Sequence, residues 1–170
     1  MRKVLSLLAL ISVFAMVLTF AGCGGGSGSA EDVVETAVNA LFDGDASAIM
    51  DCIPEFAFDG EDMDEAEEEL QDMLDEFLEE ADETDWDYTV EVKQTKDKSK
   101  DLIEEIEDDF DLSKKDLESI EEAAMVEMTL TIEVDGEEEE LPESEVLCVM
   151  IDGSWYILSP GALFGSMFGF

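Results

Sequence analysis

Forty-seven Asp and Glu residues stand against eight Lys and Arg in this 170-residue chain, so most carboxylates have no cation to pair with. An unpaired carboxylate is strongly disfavoured in a protein interior. A core can therefore close only where apolar side chains collect on one face of each element and the acids on the other. With 46% apolar residues the chain has material for one domain of ordinary size. Its formal charge of −39 repels phosphate backbones, which excludes nucleic acid as a partner. There is no His, so the side chain best suited to cycling a proton near neutral pH is missing. Of its three Cys, the two that remain once Cys23 is set aside, Cys52 and Cys148, do not supply the usual zinc set without His, and neither a metal nor any other cofactor is expected.

The first residues follow a different logic. Met1-Arg2-Lys3 is a cationic start, and Val4 to Phe20 is an apolar run interrupted only by Ser6, Ser12 and Thr19. This is the pattern of an export signal. Its length falls between a signal core and a bilayer-spanning helix of about 20 residues, so an uncleaved anchor is the alternative. The run ends Phe20-Ala21-Gly22-Cys23, which resembles a bacterial lipobox, with Phe20 where Leu, Val or Ile is usual. The resemblance implies cleavage before Cys23 and a diacylglyceryl group on its thiol, fixing the chain to the extracytoplasmic face of the cell membrane. Gly24-Gly25-Gly26-Ser27-Gly28-Ser29 then reads as a flexible spacer. The chain divides into a signal peptide over 1–22, the lipidated Cys and linker over 23–30, an acidic domain over 31–160 and an apolar tail over 161–170.

Cleavage at that point removes 22 residues, including Arg2 and Lys3 but no acid, leaving 148 residues with a formal charge of −41. The six remaining cations, Lys93, Lys96, Lys98, Lys100, Lys114 and Lys115, share one stretch. Once Cys23 is acylated, Cys52 and Cys148 remain. Outside the cytoplasm they form one disulfide if the fold brings their Cα atoms within about 7 Å, and otherwise stay as two buried thiols.

Apolar spacing predicts a helix from Ala30 to Phe42 ended by Gly44, and a second from Ala46 to Ile53, capped by Asp45 and stopped by Pro54. Phe56 and Phe58 follow as core plugs. A third helix from about Glu61 to Ala81 carries its apolar residues, Met63 to Ala81, on one stripe and carboxylates elsewhere. Trp86 to Lys93 alternates as a strand. Two short helices are expected between Lys100 and Glu122, around Leu102 to Phe110 and around Leu117 to Ile120, with Ser113 and Asp116 as a capping pair. Strands are expected at Val126 to Val134, ended by Asp135-Gly136, then at Ser144 to Ile151, and finally at Trp155 to Leu158 after an Asp152-Gly153 hairpin turn. Pro160 closes the last. The unbroken apolar run Val146 to Ile151 predicts a strand covered on both faces.

Helices followed by an antiparallel meander make an α+β fold, with N-terminal helices packed on a curved sheet of about four strands. The stretch around "LFDGDASAIMDCI" and the closing "VMIDGSWYIL" resemble small exported lipoproteins of the nuclear-transport-factor-2-like, cystatin-like type. That resemblance implies a cone between sheet and helices that holds a small apolar ligand, houses an isomerase-type enzyme, or is filled by side chains and serves protein contacts.

Three functions follow as expectations. The first is a membrane-anchored, non-catalytic binding or interaction module whose partner is an envelope protein or a small apolar ligand. The second is an isomerase or hydrolase in which Asp87 or Asp152, beside Trp86, Trp155 or Tyr156, serves as a buried base. The third is divalent-cation capture by the carboxylates of Asp59 to Glu69, although the glycine required at the sixth position of a calcium loop is missing. The tail, with Leu163, Phe164, Met167, Phe168 and Phe170, folds back on the domain or contacts a membrane or partner. Self-repulsion among the acids makes stability salt-dependent. The thermal unfolding midpoint should rise when NaCl is raised from about 0.02 M to about 0.5 M, as followed by circular dichroism.

Overall fold

The computed structural model describes residues 28–58, 62–81, 86–96, 99–110, 112–134 and 137–161. Helix α1 (Ala30–Asp43) starts in a capping box: the Asp32 N–H donates to Ser29 Oγ at 3.3 Å, and the Ser29 N–H donates to Asp32 Oδ2 at 2.7 Å. Gly44 ends it at φ 71, and its N–H is accepted by the carbonyls of the last turn. The Asp45 carboxylate accepts the Ala48 N–H at 3.0 Å and starts α2 (Ala46–Asp51). A 3-10 turn (Glu55–Phe58) follows, then α3 (Met63–Ala81). Gln71 on α3 reaches back to the α1–α2 corner, donating to the Gly44 carbonyl at 3.0 Å and accepting the Ala46 N–H at 3.3 Å.

Four main strands, β1 (Trp86–Lys96), β2 (Ile120–Val134), β4 (Ser144–Ile151) and β5 (Ser154–Ile157), run antiparallel in the order β1-β2-β4-β5. A short β3 (Glu137–Glu140) also pairs with β2. The result is the expected α+β fold, with helices packed on a curled antiparallel sheet. Between β1 and β2, α4 (Ser99–Asp109) and α5 (Lys114–Ser119) form the expected pair, and the Asp116 N–H donates to Ser113 Oγ at 3.3 Å. Asp152 and Gly153, at φ 52 and 78, make the tight turn into β5. The Asp135-Gly136 turn and the tail beyond Gly161 lie outside the described residues.

Strand alternation divides the apolar residues between two cores. On one face Val126, Met128, Leu130, Val146, Cys148 and Ile157 pack beneath α1, α2 and Leu74 of α3. On the other, Ala123, Val149 and Leu158 meet Leu102 and Ile106 of α4. The 3-10 turn serves both, with Phe58 in the first cluster and Phe56 in the second. The Lys100–Glu122 segment is thus the cover for the second sheet face, which is why β4 is apolar on both sides.

One expectation is corrected, and one strand was not foreseen. Ile120 does not close a helix: it begins β2 and pairs with Ile151, because β4 extends past the point where local alternation stops. An irregularity between Ile120 and Glu122 turns Ile120 into the second core. The four consecutive glutamates of β3, all exposed, form a strand only because the backbone edge of β2 is there to pair with.

Gly44 and Gly153 separate two effects. Both have positive φ, but a Cβ on Gly44 would lie 2.6 Å from Leu78 Cδ1, whereas one on Gly153 meets nothing within 4 Å. Gly153→Ala should therefore show only the backbone cost of about 1–2 kcal/mol. Gly44→Ala should cost more, as measured by urea unfolding.

Candidate functional site

Cys23 lies outside the described residues. Cys52 and Cys148 are both buried and both thiols. Cys52 follows α2 and its Sγ donates to the Ala48 carbonyl at 3.2 Å. Cys148 faces the start of α1, with Sγ 3.9 Å from the Ala30 carbonyl. Between their backbones stands β5: the Ile157 N–H donates to the Cys52 carbonyl at 2.7 Å, and Ile157 is the register partner of Cys148. Burial, reinforced by the Glu31 carboxylate and by Cys52, pushes the Cys148 thiol up to about 12. It is thus held in its neutral, unreactive form.

The carboxylates considered as bases are both in solvent. Asp87 is exposed on β1, where it accepts the Tyr88 N–H at 2.8 Å, and Asp152 is exposed in the β4–β5 turn. Among the described residues no charged side chain is buried. Of the cation-capture segment, 59–61 lie outside the described residues, while Asp64, Glu67, Glu68, Gln71 and Asp72 line an open groove of about 340 Å³ on α3. Among the described residues no three His, Cys, Asp or Glu side chains are grouped to hold a metal ion.

The polar contact that sequence reasoning missed lies between α1 and β1. The Tyr88 ring stacks on Phe42 with centroids 4.0 Å apart and planes 19° apart, and its hydroxyl donates to Asn39 Oδ1 at 3.0 Å. Burial, followed by the nearby Asp43 and Asp87 carboxylates, raises its phenol above the ordinary tyrosine value. The available signal was Asn39, the one amide in α1. These residues hold the helix to the sheet edge. Their chemistry is structural: a neutral phenol locked by one amide and one ring.

Comparison with family models, curated proteins and solved structures gave no match. Among the described residues no helix is long and apolar enough to cross a membrane.

The raised Cys148 pKa fixes the sign of a pH effect. Unfolded chain ionises this thiol near its ordinary value of 9.0 and folded chain only near 12. The stabilisation is therefore complete below that ordinary value and declines as pH climbs through the window between the two. Chemical unfolding midpoints should fall over that window, less steeply in Cys148→Ala. Iodoacetamide should also label Cys148 roughly tenfold or more slower in the native chain than in urea.

Proposed function

We propose that this chain is a membrane-anchored extracytoplasmic lipoprotein whose acidic domain is a non-catalytic binding or interaction module, held through an acylated Cys23. The observation that carries the reading is the junction at Ser29. A cationic start, an apolar run, small residues, a cysteine and a glycine-serine spacer lead directly into the capping box that begins the folded body. Gly28 belongs to both: a Cβ there would lie 2.5 Å from Asp32 Oδ2, inside the cap. Six residue steps separate Cys23 from Ser29, a reach of at most about 20 Å. Attachment at Cys23 therefore holds the body close to the bilayer without constraining its orientation.

Packing favours a macromolecular partner over a small apolar one. Apolar side chains on both sheet faces are engaged by helices, and the exposed faces of α3, β1 and β3 offer charge. The bilayer is the second partner, reached through the acyl chains.

Replacing Cys23 tests the tether. Wild-type chain expressed in a bacterium should incorporate radiolabelled fatty acid, lose residues 1–22 and fractionate with membranes. Cys23→Ser should take up no label and accumulate as the longer precursor. Identical masses and identical labelling of the two would refute the proposal.

A further inference from the structure

Among the described residues β1 ends the strand order, with β2 on one side of it only. In the β1–β2 ladder Val90 opposes Leu130 and Tyr88 opposes Ile132. The Leu130 carbonyl accepts the Leu141 N–H at 2.8 Å, so the backbone groups of Leu130 point away from β1. In an antiparallel ladder both members of such a pair direct their N–H and C=O groups away from one another. Tyr88, Val90 and Val92 therefore present their backbone groups on the outer side of β1, where no other strand lies among the described residues. The Tyr88 N–H is taken there by its neighbour Asp87 Oδ1 at 2.8 Å. Among the described residues nothing hydrogen-bonds the outward groups of Val90 and Val92.

Edges of this kind are templates for another strand unless charge or irregularity blocks them. Here the exposed side chains carry two acids and one base along the strand: Asp87, Thr89, Glu91 and Lys93. Two-fold pairing of identical antiparallel strands admits only a few registers that keep the outward groups facing each other. A centre on Thr89 sets Asp87 against Glu91, and a centre on Glu91 sets Glu91 against itself, both like-charge pairs. A centre on Val92 runs into the irregularity between Gln94 and Lys96. A centre on Val90 uses the regular stretch 86–94, sets Asp87 opposite Lys93 twice and sets Thr89 opposite Glu91 twice.

We propose that β1 is a homotypic docking edge, at which a second copy of this chain adds its own β1 antiparallel about Val90 and extends the sheet across two molecules. Tyr88 then exchanges its bond to Asp87 for backbone pairing with Val92 of the second copy, and Asp87 turns to Lys93 of that copy. The net charge of each copy opposes approach, but its reach shrinks to about 10 Å at 0.1 M salt. Opposite charges in direct contact across the edge then select the register. The inference does not depend on acylation of Cys23.

Cysteine cross-linking of two differently tagged full-length chains, co-expressed and oxidised with copper phenanthroline at physiological salt, tests this. Thr89→Cys in one copy with Glu91→Cys in the other should give roughly fivefold more dimer than either variant paired with itself. The native cysteines are common to all three combinations and cancel. Adding Lys93→Asp to both copies should reduce that dimer about fivefold, and adding Asp87→Lys together with Lys93→Asp should restore it to within about twofold. Equal or absent cross-linking in the three combinations overturns the proposal, as does insensitivity to the charge reversal or failure of the double reversal to rescue. Cross-linking to a different protein in place of the second copy overturns it too.

Discussion

Backbone pairing along β2 is the interaction on which the rest of the molecule depends. One edge of this long strand takes β1, and the other takes β4 and then β3. Its side chains feed both cores: Ala124, Val126, Met128 and Leu130 face α1 and α2, and Ala123 and Met125 face α4. Among the described residues the acids fall on outward positions of the helices and at the sheet margins, except that Glu31 at the start of α1 turns Oε2 out of solvent and raises the nearby Cys148 thiol. The charge excess and the fold are compatible for this reason. Repulsion acts mainly over the surface, and its one described reach into a core is that of Glu31 on Cys148.

Parts of this were legible because the information is local. The first helix announces itself through Val34, Ala37, Val38 and Leu41, and its end through Gly44, whose positive φ few other residues tolerate. Alternation from Val126 to Val134 is equally direct. Ile120 to Met125 were not legible, since Glu121-Glu122-Ala123-Ala124 has no period and becomes strand only against β4. The same holds for Glu137 to Glu140, where composition opposes a strand and a neighbouring backbone imposes one.

The candidate site divides in the same way. Cys52 and Cys148 were identifiable as a pair from sequence, but β5 standing between their backbones is a property of register that no spacing reveals. Gln71 carried a readable signal as the only amide among the acids of α3, and it proves to latch that helix to the α1–α2 corner. The direction of the Val90 and Val92 backbone groups had no signal at all in the residues themselves. It follows only once Leu130 is known to bond to the far side of β2.

The capping box at Ser29 also decides how the molecule would bear mechanical load. Any pull transmitted through the residues ahead of it arrives at the first turn of α1, where Ala30 lies fully buried against the Cys148 side of the sheet. Tension arriving there therefore strains a helix terminus wedged into the interior, instead of peeling a strand from the margin of the sheet. Resistance would come from dragging apolar side chains out of their packing all at once, so the body should hold its shape under tugging that would unzip a molecule suspended from an outer strand.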